Sequence, residues 1–595
     1  MIHWSLASAH ETTAGGGRRG ETSGSRDSRC RHGRRAAVPL AIVALLAAAP
    51  LRAQDSTVVL CEGLVVSAVD VEPEPPRMLG DDAPWLWRVL GKALLQQRTT
   101  GPGVVRDFLR LEPGDRCSER ARAESERVVR AQPFFADAEV RSVPDGAGGV
   151  RIVVRTVDDL PLVIGGRLRG NRVTAISYGN GNLLGQGRLA VASWQQGEAF
   201  RDGVGLRLAD YHAFGGPNVA SLRLERAPLG HDVDASITHP FYTPLQHSAW
   251  TASYRIRESY DRYRRRGDEP ISLPAQRERW SAGGVLRLGG PGKGVFAGAL
   301  AFGDRFERLG EPVLVTDSGF VDDDDPLLAA RYGTVSRTNV AAVLGVSALS
   351  YLRVEGFDAL VGPQDVGRGI QLQAAADPGL GTGQYYSGDL FAGTGTRHWF
   401  LGTRVELEGR RADDADGWHD VVAGGRVAWY LKPAPTHTIV TSVEYGGVWR
   451  SRVPYQLSVA DRRGGVLGYG DTDYAGGRRA VLRSEYRRVV ASVPRFATFG
   501  LAGFAEGAKL WAGDAPYGVN TNTKSSLGLG LLAAVPSQSR RLLRADVAYP
   551  LVRGGGAEWE VRVTATNALR GFWREPGDVQ QLRSAALASS LFNWP

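Results

Sequence analysis

The chain has 595 residues, of which 76 are Gly and 14 are Trp, and it is longer than one ordinary soluble domain. Its mean hydropathy of -0.21 excludes a protein made mainly of membrane-spanning helices. Residues 1–53 contain eight Arg and three acidic residues, so they carry +5 of the net charge of +9, and the remaining +4 gives no reason to expect nucleic-acid binding.

Residues 1–53 are predicted to be a leader and a signal peptide. Arg34 and Arg35 precede the apolar run Ala36–Leu51, and the small residue Ala53 follows it. The run is shorter than the roughly 20 residues that a membrane-spanning helix needs. A basic segment, a short apolar run and a small residue are typical of a secretion signal. The alternative, a buried core helix, is disfavoured by the charged flanks.

Residues 60–158 predict a small α+β domain. Its expected elements are, in chain order, a strand at 64–71, an amphipathic helix at 85–97, a helix at 119–132 and a hairpin of strands at 138–143 and 150–155. Ser118 is suited to cap the second helix, and Asp145-Gly146 is suited to the hairpin turn.

Two cysteines, Cys61 and Cys117, remain once Cys30 is removed with the signal. They can form a disulfide in an oxidising compartment, and two free or buried thiols are the alternative that the sequence leaves open. No Cys/His cluster has the spacing of metal ligands. We therefore expect no metal and no cofactor.

The element order of this domain, with residues 111–143 (LEPGDRCSERARAESERVVRAQPFFADAEVRSV), resembles a POTRA domain. POTRA domains are the periplasmic modules of the BamA/TamA-like outer-membrane assembly and translocation superfamily. The resemblance implies that this domain binds polypeptide by adding a strand to the edge of its sheet. Another kind of small α+β domain is the alternative.

Residues 160–573 predict a transmembrane antiparallel β-barrel of about 16 strands. Apolar and polar residues alternate in runs of about eight to twelve residues, close to the length of a tilted membrane strand. The clearest runs are 399–410, 479–487, 543–549 and 559–566. Each run has one apolar face and one face with charges of both signs. A soluble sandwich has the same period, so the period alone does not distinguish the two folds.

Three further features favour the barrel. A secretion signal precedes the runs, the region is too long for one sandwich, and aromatic residues fall near the ends of the runs, as they do in interfacial girdles. These aromatic residues are Trp399, Trp429, Tyr430, Trp449, Trp511, Tyr549, Trp559 and Trp573. Residues 574–595 form a C-terminal tail, and its position in the lumen or in the periplasm cannot be predicted.

Three further segments also resemble the BamA/TamA-like superfamily. In that family a long loop with an R-G-F/Y tip folds into the lumen, and here the corresponding tip is Gly465, Val466, Leu467, Gly468 and Tyr469. Residues 485–487 (EYR) and 544–551 (RADVAYPL) match two strands of the family. Leu467 replaces the family's Arg, so the loop would lack its pinning salt bridge. Tyr469 could still dock through packing and its hydroxyl.

The charged faces of the last strands would lie in the lumen. The expected lumen charges are Arg483, Glu485, Arg487, Arg544 and Asp546. Without an Arg at position 467, Glu485 and Asp546 would need Arg483 or Arg544 as a partner. A merely solvated polar face is the alternative.

The resemblance implies an outer-membrane protein of a Gram-negative bacterium, with its first domain in the periplasm, that inserts or translocates client polypeptides. The expected partners are outer-membrane lipid and lipopolysaccharide, unfolded client polypeptides and a periplasmic or inner-membrane protein bound through the POTRA-like domain. A passive channel or surface receptor is the alternative. An enzyme is not expected, because no G-x-S-x-G motif is present and no Ser partner is evident for the His residues.

Overall fold

The computed structural model describes residues 59–75, 99–197, 201–265, 268–289, 294–316, 319–411, 417–460, 464–470, 474–554, 556–567, 573, 575–584 and 591. The predicted signal peptide and the predicted helix at 85–97 lie outside these residues. Among the described residues, no helix is long and apolar enough to cross a membrane.

The N-terminal region is a three-stranded sheet with a helix packed on it. Its elements are β1 (Val66–Glu74), α1 (Pro102–Arg106), α2 (Glu119–Arg130), β2 (Phe135–Pro144) and β3 (Val150–Asp158). The strand order is β1-β3-β2, with β1 parallel and β2 antiparallel to β3. Ser118 caps α2 by accepting a 3.1 Å hydrogen bond from the Ala121 amide.

The core of this domain lies between α2 and the sheet. Val128 and Val129 of α2 are buried there, together with the inward residues of β2 and β3. The structure joins Cys61 to Cys117 by a disulfide, which links the residues before β1 to the start of α2. The disulfide thus holds the residues that precede β1 against the residues that precede α2.

The rest of the chain forms one closed barrel. Its strands are β4 (Leu162–Arg169), β5 (Arg172–Asn180), β6 (Arg188–Gln195), β7 (Gly203–Ala213), β8 (Asn218–Arg226), β9 (Gly230–His239), β10 (Ser248–Tyr263), β11 (Ile271–Arg287), β12 (Gly294–Arg308), β13 (Val313–Thr316), β14 (Gly319–Asp322), β15 (Val335–Glu355), β16 (Pro363–Asp377), β17 (Gln384–Gly395), β18 (Trp399–Arg411), β19 (Trp418–Ala434), β20 (His437–Trp449), β21 (Leu457–Ser458), β22 (Ala475–Gly476), β23 (Arg478–Val493), β24 (Ala497–Trp511), β25 (Lys524–Ala534), β26 (Arg541–Pro550) and β27 (Glu560–Asn567). The helices α3 (Pro326–Arg331) and α4 (Gly577–Gln580) are not part of the barrel wall.

Twenty antiparallel strands make up the wall, since β13 and β14 form a small hairpin beside it and β21 and β22 form a separate pair. The prediction of a closed antiparallel barrel is confirmed, but the predicted number of about 16 strands is wrong. The first six strands, β4–β9, have only 8 to 11 residues each. Their glycines and small polar residues weaken the alternation of apolar and polar residues that predicts a strand.

The side chains of the barrel are distributed inside out. In β25 the apolar residues Leu527, Leu529 and Leu531 are exposed, whereas in β26 Asp546 is fully buried in the interior. This arrangement would be unfavourable in a soluble protein, because large apolar side chains would face water and charged side chains would fill the core. The outer face is therefore a lipid-facing face.

Not every aromatic residue of the predicted girdles lies on that face. Trp399, Trp429 and Trp559 are exposed on the outside, in agreement with the prediction. Tyr430 and Trp573 are buried inside, where Tyr430 donates to Asp358 and Trp573 packs edge-on against Phe391. The last strand ends at Asn567, so Trp573 does not belong to it.

We call the end of the barrel where β4 begins the near end and the opposite end the far end. The small domain lies against the turns of the near end. Arg130 of α2 forms a bidentate ion pair with Asp365 of β16, with both distances 3.0 Å. Arg541 donates to the Pro133 carbonyl at 3.1 Å. Because β16 lies about half way around the ring from β4, the small domain spans the near opening.

A buried polar cluster connects the small domain to the β5–β6 turn. Asp158 accepts hydrogen bonds from the Thr100 amide at 2.8 Å and from its hydroxyl at 2.7 Å. The Asn182 amide group donates to the same hydroxyl at 2.8 Å. No cation is among these partners, and burial raises the pKa of Asp158 to about 7.

We predict that Leu529→Arg lowers the free energy of unfolding by about 2–4 kcal/mol, because it places a charge in the middle of a lipid-facing strand. The measurement is a denaturant titration in lipid vesicles, with folded protein followed by heat-modifiable migration. Leu551→Arg, in the turn after β26 at the far end, is the matched control and should have little effect. Equal effects of the two substitutions would contradict a lipid-facing position for Leu529.

We also predict that Asp158→Asn flattens the pH dependence of stability. Between about pH 4 and pH 7 the folded Asp158 keeps a proton that the unfolded chain has lost, so the free energy of unfolding of the wild type falls as pH rises through this range. Asn does not titrate. The thermal midpoint of the variant should therefore fall less than that of the wild type between pH 5 and pH 8, and parallel curves would refute the buried-carboxyl explanation.

Candidate functional site

The loop between β20 and β23 folds into the lumen. It comprises residues 450–477, and its described residues include the short pair β21 and β22. Val466, Leu467 and Tyr469 are almost completely buried among the inward side chains of the wall. Gly465 is required here, because a Cβ at this position would lie 1.8 Å from the Val459 carbonyl oxygen.

The tip of this loop is bound through its main chain. The Leu467 amide donates to Glu506 at 2.9 Å, and the Gly468 amide donates to Glu560 at 3.0 Å. The Tyr469 hydroxyl donates to the Ser525 carbonyl at 2.8 Å. Two carboxylates thus hold a tip that carries no cation, and the side chain of Leu467 packs against Phe504 instead.

The five charges predicted for the lumen lie there, and four of them form one connected network. Arg544 is the shared partner of two carboxylates, because it contacts Glu485 at 2.6 Å and Asp546 at 2.7 Å. Arg487 also contacts Glu485. Arg483 serves the loop instead, since it donates to the Gly464 carbonyl at 3.2 Å and lies 3.4 Å from Glu506.

The C-terminal tail also occupies the lumen. Its described residues are Glu575–Ser584 and Leu591, and Trp573 directly precedes it. Asp578 forms a bidentate ion pair with Arg479 of β23, at 2.6 and 3.0 Å, and Arg479 also donates to the Ser458 carbonyl of the lumen loop at 2.8 Å. One buried guanidinium therefore connects the wall, the loop and the tail.

Several residues that hold the loop and the tail were not predicted from the sequence. Arg479 could have been found, because it has the same inward phase in β23 as Arg483, Glu485 and Arg487. Glu506 and Glu560 sit at inward positions of β24 and β27, but nothing in their own strands indicates a main-chain partner. Asp578 carries no signal, since an isolated acid in a tail is usually solvated.

Space remains beside the tail, along the wall of β8–β11. A cavity of about 450 Å³ is lined there by the arginines Arg223, Arg255, Arg257, Arg277 and Arg279. Asp232 and Asp304 neutralise part of this charge through ion pairs with Arg255 and Arg277. Among the described residues, no group of three or more His, Cys, Asp or Glu could hold a metal ion.

The fold and the lumen together define a membrane-type β-barrel with an occupied lumen and a small α+β domain at one end. No protein-family model and no curated protein matches the chain. Its structure is similar to that of BamA from Haemophilus ducreyi lacking POTRA domains 1–3, with 11% identity, a TM-score of 0.37 and 84% of each chain covered.

The chain is also similar to CdiB from Escherichia coli, with 11% identity, a TM-score of 0.43 and 84% of this chain and 76% of that chain covered. For CdiB from Acinetobacter baumannii the values are 12%, 0.37, 84% and 73%. Similarity at this level concerns the fold alone.

We predict that Arg544→Gln destabilises the barrel by about 3–5 kcal/mol, because it leaves Glu485 and the fully buried Asp546 short of a cation. Unfolding in denaturant, followed by heat-modifiable migration, measures the loss. Arg305→Gln removes an ion pair with Glu307 whose side chains are about half exposed, and it should cost less than about 1 kcal/mol. Similar losses in both variants would contradict a structural network in the lumen.

Proposed function

We propose that the protein is a BamA/TamA-like barrel of a Gram-negative outer membrane that inserts or translocates client polypeptides without catalytic chemistry. The observation that carries this proposal is the weak junction between the first and the last strand of the barrel, which we call the seam. The small domain would then lie in the periplasm, on the side from which unfolded clients arrive.

The seam is short. The ladder between β4 and β27 pairs Gly165–Arg169 with Glu560–Thr564, whereas β10 and β11 pair along their whole length from Ser248 to Tyr263. An unpaired backbone N–H or C=O in lipid costs several kcal/mol, so opening a ladder costs more the longer it is. Among the ladders of the described wall, the seam is therefore the least costly place to open.

A client strand could repair the opened seam. Its backbone would pair with the freed edge of β4 or β27, and this pairing needs no particular client sequence. Capture would precede this step at an edge of the small domain's sheet, where β1 and β2 are the outer strands. The free energy of client folding would drive the process.

The partners follow from the same geometry. Outer-membrane lipid and lipopolysaccharide would contact the apolar outer face, and unfolded polypeptides would contact the seam. A periplasmic or inner-membrane protein would bind the small domain. A passive channel is disfavoured because the lumen loop, the tail and the small domain all occupy the route that a solute would take.

A disulfide across the seam tests the proposal. Gly166 and Val563 are cross-strand partners in the seam, and a Cβ at Gly166 would have only the Ala175 carbonyl oxygen nearby, at 3.8 Å. We expect vesicles with the wild-type protein to fold a urea-unfolded client barrel at least about tenfold faster than empty vesicles. Oxidised Gly166→Cys/Val563→Cys protein should lose this acceleration and regain it after reduction.

The matched control is the same type of disulfide in a ladder away from the seam. Leu529→Cys/Val547→Cys bridges β25 and β26 at partner positions, and it should leave the acceleration intact when oxidised. Client folding that is equally fast with the seam locked and unlocked would overturn the proposal. No acceleration by the wild type would overturn it as well.

A further inference from the structure

Two described residues on either side of Asp578 in sequence, Trp573 and Leu591, lie toward the near end of the barrel. Trp573 packs against Phe391, in the last residues of β17 at the near end. Asp578 reaches Arg479, next to the lumen loop. Leu591 is again at the near end, where its carbonyl accepts a 2.9 Å hydrogen bond from the Phe241 amide in the β9–β10 turn. Asp578 is therefore the described tail residue that lies deepest among these three, measured from the near end.

The wall holds part of the tail by its main chain. Arg277 donates to the Gln581 carbonyl at 2.6 Å, and Arg279 donates to the Arg583 carbonyl at 2.7 Å. These carbonyls follow the single turn of α4, so they have no partner in a continuing helix. Any polypeptide with free carbonyls at this position offers the same acceptors.

Two further contacts hold Ser584, one through its main chain and one through its side chain. Glu408, buried on β18, accepts from the Ser584 amide at 2.8 Å. On the same strand, the buried Arg410 donates to the Ser584 hydroxyl at 3.2 Å. Arg277 and Arg279 of β11 and Glu408 of β18 thus contact the same short segment, which follows the helical turn of α4, as the two sides of a binding groove.

Several side chains of the tail are also anchored in the wall. Arg257 of β10 donates to the Gln581 side chain, and Leu582 and Leu591 are buried among residues of the wall. Asp578 is the one acid paired with a wall arginine among the described tail residues, and Val579 is buried beside Gly446. Arg583 pairs chiefly with Glu575 of the tail itself, at 2.5 Å. The groove therefore recognises one acidic side chain, apolar side chains after it and, from three residues after the acid, main-chain carbonyls.

We propose that this lumen wall, on β10, β11, β18 and β23, is a binding groove for a polypeptide segment that begins with a helical turn, and that the tail is its resident, exchangeable occupant. The inference rests on the proposed function in one respect: the exchanging segment belongs to a client. A segment with an Asp or Glu in the place of Asp578 takes the groove while the tail withdraws. An empty groove is disfavoured, because the buried arginines would lose their acceptors.

The covalent tether determines how exchange is measured. A tethered segment has an effective concentration of the order of millimolar, so a free peptide binds only weakly to the wild type. Asp578→Asn in the full chain removes the ion pair with Arg479 and weakens the tail. We expect a fluorescent synthetic peptide of residues 573–591 to bind this variant at least about tenfold more tightly than the wild type, measured by fluorescence anisotropy in detergent micelles.

A disulfide that fixes the tail gives the decisive comparison. A Cβ at Gly446 would lie 2.9 Å from Cγ2 of Val579, so Gly446→Cys/Val579→Cys can bridge the two positions. The oxidised protein should not bind the peptide, and reduction should restore binding. Reductant-treated wild type controls for loss of the Cys61–Cys117 disulfide, and heat-modifiable migration verifies that each form is folded.

The outcomes separate the groove from the proposed function. Equal peptide binding by the locked and the reduced protein would overturn the groove, as would equal binding by the wild type and Asp578→Asn. A peptide carrying Asn in place of the acid should bind less tightly, and unchanged binding would remove the role of Arg479. Peptide exchange without accelerated client folding would refute the proposed function alone.

Discussion

The whole structure depends on the need to pair every backbone N–H and C=O inside lipid. A sheet with a free edge cannot meet this condition, so the strands must close into a ring. Closure fixes which face of each strand meets lipid, and the exposed leucines of β25 follow from it. The same alternation sends the charged residues inward, where bulk water does not surround them.

Burial of these charges creates the second constraint, which is that each must have a partner inside the barrel. Arg544 meets it by contacting Glu485 and Asp546, and Arg479 meets it by contacting Asp578 of the tail. The ring has room for more than its own side chains, because twenty strands enclose a wide lumen. The inward loop and the tail therefore supply acceptors, donors and volume that the wall lacks.

This view explains the position of Leu467. A guanidinium at the tip would add one more cation to a lumen that already contains many arginines. The tip instead presents main-chain amides to Glu506 and Glu560, which stabilises the same inward position without a further charge. The proposed capture of a client strand at the seam uses the same kind of main-chain recognition, which is indifferent to the sequence of a partner.

The sequence predicts the class of fold well and the number of strands poorly. Long strands such as β18 and β23 alternate clearly, because one face meets lipid along many residues. The short strands β4–β9 contain glycines and small polar residues, so their alternation is faint and strands were missed. The inward charges were predictable from their phase. The position of the tail was not, because Asp578 and the carbonyls near it have no pattern.

The most direct measurement is a cryo-electron microscopy map of the full chain in a lipid nanodisc. We predict a ring of twenty strands whose lumen contains density for the loop tip at Tyr469 and for the tail at Asp578, joined at Arg479. A soluble particle without a lipid belt, or a ring whose lumen is empty at Arg479, would contradict the structure on which every proposal here depends.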